Sequence, residues 1–192
     1  MDLSQHLRLL LPPDVRSVDA LAGLSAASRR RNLQKGEPLV LDPLVEGVFV
    51  SAGCLRVYFT EQDGSERTMY FAPDGWWLPR LTGCDAAASA AVAIDALEPT
   101  EVWLVLRGDD ARSHALVRIW CALDEWALAA MQRRVLGAMR KTAADRYAEF
   151  HRVYPGLDGR IPQYHVAEYL GISPEFLSKM RSRLRRDRSR AS

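Results

Sequence analysis

RIPQYHVAEYLGISPEFLSKMRSRL occupies residues 160–184, and the rest of the chain is best read outward from it. Two helices that meet at a short turn need a small residue where they cross, a glycine at the turn and apolar residues between them. Ala167, Gly171 and the set Val166, Leu170, Ile172, Leu177 and Met180 meet those needs. Ser173 can accept a hydrogen bond from an unpaired N–H at a helix start, Pro174 suits the first helical position, and Glu175 complements the positive end of the helix dipole. A second helix is therefore expected from Pro174, and the pattern predicts a helix-turn-helix.

The first turn of such a helix enters the major groove of DNA. That makes Pro174, Glu175, Ser178 and Lys179 candidate base readers, with Ser173 alongside. A glutamate can accept from the cytosine amino group and a lysine can donate to guanine. Arg181, Arg183, Arg185 and Arg186, followed by Arg188 and Arg190, outnumber the bases within reach and are expected on phosphates, giving affinity without sequence information. The charge distribution agrees. Residues 162–192 hold seven basic groups and three acids, a net of +4, whereas residues 1–161 sum to −2. A mildly acidic body with a basic end is the asymmetry of a chain whose end meets nucleic acid.

The 192 residues suffice for one good core or two small ones, and two unequal domains are expected. Apolar residues make up 48% and charged residues 26%, which excludes the disordered and fibrous classes. No apolar run approaches the roughly 18 residues of a membrane span. The N-terminal MDLSQHLRLLLPPDV has an acid at Asp2 and a short apolar run broken by Pro12 and Pro13, unlike a signal peptide, so the cytoplasm is the expected compartment. Cys54, Cys84 and Cys121 are odd in number and widely spaced, which argues against a disulfide framework, a zinc site or an iron–sulfur cluster.

Residues 2–11 and 17–30 read as short helices, with Ser17 and Ser25 as caps. From Leu33 the texture changes to short β-branched and aromatic runs punctuated by Gly, Pro and Asp: LVLDP, VEGVFVSAG, CLRVYFT, RTMYF, AAVAIDAL and EVWLVL. Strands at this spacing indicate a barrel or sandwich. Asp63-Gly64 supplies the positive φ of a tight hairpin turn, with Leu55, Val57 and Phe59 on one face and Arg56, Tyr58 and Thr60 on the other. AAVAIDAL-EPT-EVWLVL reads as a second hairpin. Beyond Gly108 the period is helical, opening at Asp109 or Asp110 and softening at Gly137. Leu116, Ile119, Leu123, Trp126 and Ala130 step by 3, 4, 3 and 4, the pattern of a coiled-coil seam and hence of a dimer interface. Trp120, Leu128, Met131 and Val135 give this helix a second apolar side, so one side can meet the strands and the other a partner. Residues 139–153 read as a further helix.

This order of parts, with QKGEPL early in the strands, then VSAGCLRVYF, FAPDGWW, a long helix and the helix-turn-helix, resembles the Crp/Fnr superfamily of bacterial transcription regulators over nearly the whole chain. It is most similar to the short branch that ends near the recognition helix. The resemblance implies an α+β protein: a jelly-roll, cyclic-nucleotide-binding-like β-roll with flanking helices at 1–108, a long dimerisation helix at 109–137 and a helical DNA-binding domain at 138–192. It implies a homodimer on double-stranded DNA, with RNA polymerase as a further partner and no cofactor.

Two departures matter. Where cyclic-nucleotide binders carry a Gly-Glu pair and an Arg-Ser-Ala stretch, this chain has Pro79-Arg80 and Ala88-Ser89-Ala90. A phosphate without its arginine is poorly compensated, so no response to cyclic nucleotides is expected. No residues remain for the family's β-hairpin wing, and Pro174 stands where many members carry a guanine-reading arginine. Trp76 and Trp77, adjacent and so facing opposite ways on a strand, join Arg80 and Ser89 as residues of a candidate effector pocket. The alternative reading is a small-molecule sensing module that signals through protein contacts. An enzyme is not expected: His6, His114, His151 and His165 all lie outside residues 33–107, so the roll has no histidines for a metal, and there is no GxSxG, Walker or GxGxxG motif.

Overall fold

A computed structural model of the chain describes residues 3–80, 92–106, 114–140 and 142–191. Helices α1 (Leu3–Leu10) and α2 (Val18–Ala26) open it, joined through a turn of 3-10 helix at Pro13–Val15. Ser17 caps α2 by accepting from the Ala20 N–H at 3.4 Å. Ser25, expected as a second cap, lies inside that helix. The helix stops short of residue 30 because Ser28–Leu33 form strand β1, whose outward arginines carry no apolar alternation.

Six further strands follow: β2 (Val45–Ala52), β3 (Cys54–Thr60), β4 (Glu66–Pro73), β5 (Trp77–Pro79), β6 (Val92–Ala96) and β7 (Thr100–Leu106). They build two antiparallel sheets in the orders β1-β7-β2-β5 and β4-β3-β6. Val48, Val50, Leu55, Val57, Ala72, Ile94 and Val102 fill the space between the sheets and exclude water from it. The β3–β4 hairpin turns at Gly64, with φ +82°, while Asp63 Oδ1 accepts from the Ser65 N–H at 2.9 Å. A register slip after Val57 leaves Phe59 only half-buried, which breaks the simple alternation.

Two expectations fail here for one reason. β6 and β7 are not a hairpin; they belong to different sheets, and residues 97–99 carry the chain across. LVLDP forms no strand, and Pro38 beside it makes only an isolated bridge to Asp95. Pairing partners are set by the closure of the roll, which a local run of residues does not encode.

Helix α3 (His114–Arg140) passes through Gly137 without a break; its expected opening at Asp109 or Asp110 lies outside the described residues. Helix α4 (Ala143–Val153) begins later than expected, at a capping box in which the Thr142 hydroxyl accepts from the Asp145 N–H and the Asp145 carboxylate accepts from the Thr142 N–H. Helices α5 (Gln163–Leu170) and α6 (Pro174–Ala191) close the chain. The last three helices share a core with the roll: Cys54, Phe71 and Leu97 pack with Tyr147, Phe150, Tyr154, Tyr169 and Leu177. Phe71 meets Tyr154 edge-on at 5.7 Å between ring centroids.

Candidate nucleic-acid interface

The α5–α6 junction is built by local chemistry. Gly171 takes φ +66°, a left-handed conformation that costs glycine little, and the Ile172 N–H returns to the Ala167 carbonyl at 3.1 Å. Ser173 Oγ then accepts from the Phe176 N–H at 3.2 Å and starts α6. Ala167, 1% exposed, stands on the inner side of α5 with Val166 and Leu170. Leu177 anchors α6 from the other side, with Met180 half-buried beside it.

With Leu177 inward, helical geometry puts Glu175, Lys179, Ser182 and Arg186 on the opposite face, spaced 4, 3 and 4 residues apart and all exposed. Ser173, Pro174, Ser178 and Arg183 are exposed beside this stripe. Glu175 hydrogen-bonds to its own backbone N–H and to Ser173, which holds its carboxyl below the ordinary glutamate value and keeps it an acceptor. Arg181 differs from its neighbours. It turns inward, binds Asp158 at 3.0 Å and donates to Gln163, bracing α6 against the start of α5. The side chain of Arg185 lies outside the described residues. Sequence reasoning passed over Phe176, which is 52% exposed at the flank of the stripe. An aromatic immediately before a buried leucine cannot share its inward face, and that spacing was the available signal.

Helix α3 presents two different sides. Leu116, Ile119 and Leu123 are buried inside the chain against Phe49, Trp77, α1 and α2, and Trp126 and Ala130 are half-buried. The heptad-spaced residues therefore pack on the chain's own body. Val117, Leu128, Val135, Leu136 and Met139 are large apolar residues that the helix exposes, and Cys121 is exposed among them.

The two tryptophans part company. Trp77, 2% exposed, lies flat on Gly47 of β2 and 5.7 Å from the Trp120 ring, and its indole N–H has no acceptor. Trp76 faces the helices, with ring centroids 5.1 Å from Trp126 and 5.2 Å from Tyr154. Arg80 lies 3.8 Å from Glu46. These residues border an open cleft of about 1960 Å³ between α2, α3, α4 and the roll. At its edge, burial and then repulsion from Glu46 raise the carboxyl of Asp124 above its ordinary value. Ser89, together with Ala88 and Ala90, lies outside the described residues, as does Cys84. Burial, followed by the charge of Glu98, pushes the Cys54 thiol up and leaves it unreactive.

One residue at the interface of roll and helices had no sequence signal. Arg56, expected on the outer face of β3, is 3% exposed, because α5 covers it. Its Nε and Nη2 donate to both Asp95 oxygens at 3.0 and 2.7 Å, and Nη2 lies 2.8 Å from Glu66. Among the described residues no group of three His, Cys, Asp or Glu side chains is arranged to hold a metal, and no helix is long and apolar enough to cross a membrane.

No protein-family model and no curated protein matches the chain. Solved structures do. The chain is similar to FixK2 from Bradyrhizobium japonicum, with a TM-score of 0.67 and 22% identity over 83% of this chain and 85% of that one. A protein from Eubacterium rectale assigned to the crp/fnr family of transcriptional regulators aligns with a TM-score of 0.65 and 18% identity over 89% of this chain and 84% of its own. CLP, the c-di-GMP-responsive global regulator of Xanthomonas campestris, gives 0.64 and 16% over 89% and 93%. At these TM-scores, over more than four fifths of each chain, the likeness is one of fold: the chain has the Crp/Fnr fold.

Proposed function

We propose that the chain is a sequence-specific DNA-binding transcription regulator that acts as a homodimer. The observation that carries this is the exposed stripe of Glu175, Lys179, Ser182 and Arg186 on a helix whose opposite face is anchored by Leu177 and Arg181. Such a helix can enter the major groove without disturbing its own support. Glu175 and Lys179 read base edges, Ser178 flanks them, and Phe176 can meet a thymine methyl group. Arg183 and Arg186 take phosphates, with Arg185 next in the run.

The second copy joins through α3. Its outward residues Val117, Leu128, Val135 and Met139 supply an apolar strip that a monomer would leave in water. A two-fold pair would set two recognition helices about one DNA turn, roughly 34 Å, apart and so prefer palindromic sites. Cyclic AMP and cyclic GMP are not effectors, because Pro79-Arg80 replaces the pair that would hold the ribose. Selection of bound sequences from random duplex DNA tests the reading: a palindromic consensus supports it, and no enrichment over scrambled DNA refutes it.

The cleft favours a second reading, a small-molecule sensing module that signals through protein contacts. Trp76 and Trp126 on its wall suit a flat ligand. Salt-dependent retention on DNA separates the two readings.

A further inference from the structure

Helix α5 meets the roll at a polar cluster, in which Arg56 Nη1 also lies 3.6 Å from Glu168 Oε2 of α5. Arg56 is fixed from below by Asp95 of β6 and Glu66 of β4, and its guanidinium stacks over the Tyr58 ring at 3.9 Å. What remains of it, Nη1, points at α5 and lies 3.0 Å from His165 Nδ1. The same Nδ1 is 3.2 Å from Glu168 Oε2, which also accepts from the Thr68 hydroxyl of β4 at 2.7 Å. His165 is 4% exposed, and the Tyr164 ring lies 4.0 Å from its own.

One nitrogen cannot satisfy both neighbours. A guanidinium only donates and a carboxylate only accepts. While His165 is neutral, Nδ1 accepts from Arg56, its proton sits on Nε2, and Glu168 faces a lone pair. When the ring is protonated, Nδ1 donates to Glu168 and places a positive charge against Arg56.

The geometry points to a proton-operated latch: neutral His165 ties α5 to Arg56 of the roll, and protonation turns the same nitrogen to Glu168 and breaks that bond, leaving the Thr68–Glu168 and Arg56–Glu168 contacts to hold a loosened α5. Burial, opposed by the Glu168 hydrogen bond and aided by the Arg56 charge, lowers the affinity of His165 for a proton. Asp95 and Glu168 act in the other direction without overcoming it. The released ring has an ordinary value of about 6.5 and so binds more protons than the latched one. The latch is therefore fully closed above about pH 6.5 and weakens as pH falls through the lowered value of the docked ring. Its bearing on DNA rests on α6 being the recognition helix, since α5 sets where α6 is held.

The test uses the whole chain without DNA. Amide hydrogen exchange, corrected for intrinsic pH dependence, is compared in α5 and in β2 at pH 7.5 and pH 5.5. Protection of Val166–Leu170 should fall relative to β2, by at most about tenfold per pH unit because one proton is involved. His165→Asn, which keeps an acceptor near the Nδ1 position but does not titrate, should show no relative fall. Glu168→Gln should move the release to lower pH by weakening the protonated arrangement. Identical pH profiles in wild type and His165→Asn, or a release unmoved by Glu168→Gln, would overturn the latch. Affinity for a selected duplex should follow the same profile. If no duplex is bound at any pH, the DNA reading fails while hydrogen exchange still decides the latch.

Discussion

Replacing Leu128 by glutamate separates the two sides of α3. Leu128 is 59% exposed and Leu123, five residues or about 1.4 turns away, is 1% exposed. Burying a leucine side chain fully is worth about 1.5–3 kcal/mol, and a two-fold interface counts each substitution twice. If roughly half of that area is buried by a partner, Leu128→Glu removes about 1.5–3 kcal/mol, or about 10- to 100-fold in dimer affinity. A carboxylate on each copy at one seam adds repulsion to that loss. Leu123→Glu acts differently, because it removes a core side chain packed with Phe49 and Trp77. Loss of a buried leucine costs about 2–5 kcal/mol before any charge is counted, and at about 2–4 °C per kcal/mol the melting temperature falls by about 4–20 °C. Sedimentation velocity at several micromolar concentrations, with near-ultraviolet circular dichroism on the same samples, reads both effects. Leu128→Glu should give a folded monomer, and Leu123→Glu a destabilised chain. A folded, stable monomer from Leu123→Glu together with an unchanged dimer from Leu128→Glu would place the seam on the heptad-spaced residues and refute the assignment of sides.

Further substitutions, and one addition of ligand, have defined outcomes. Gly47→Ala would put a methyl group inside the indole of the buried Trp77; overpacking of this kind costs about 1–3 kcal/mol, and Trp77→Leu in the same chain should recover part of it in a thermal melt. Arg186→Ala should weaken every duplex alike and lower the slope of log affinity against log salt by about one, whereas Lys179→Ala should lose about 1–3 kcal/mol on the preferred site alone. Arg181→Ala should lower thermal stability through the lost Asp158 contact and leave that salt slope nearly unchanged. Calorimetry with cyclic AMP or cyclic GMP should detect no binding at micromolar concentration; a clear isotherm with either would revise the reading of Pro79-Arg80.

The α5–α6 junction was legible because each of its parts acts on its nearest neighbours. A left-handed glycine at 171, a serine cap at 173 and a proline at 174 need no knowledge of the rest of the chain. The Asp63-Gly64 turn was legible for the same reason. What escaped depends on residues far apart in sequence. Ser28–Leu33 is a strand because β7 offers it an edge, and its arginines face water, so neither composition nor alternation announces it. The stepping of Leu116, Ile119 and Leu123 identified an apolar side of α3 but carried no information on whether the roll or a second copy would cover it. Arg56 looked like any outward residue on an alternating strand; the helix that buries it lies 109 positions later.

The core that joins Phe71 to Phe150, Tyr154 and Tyr169 bears on how the chain can be rebuilt. Residues 142–191 are no cassette to be moved onto another roll. Cut at Thr142, they would carry away a cluster of bare aromatic rings and leave Cys54, Phe71 and Leu97 open on the donor roll. A working chimera must transplant the receiving face of β3 and β4 with them, Arg56 and Thr68 included. By the same reasoning, the roll and the closing helices can diverge only in step, because a volume change on either side of that seam needs an answering change on the other.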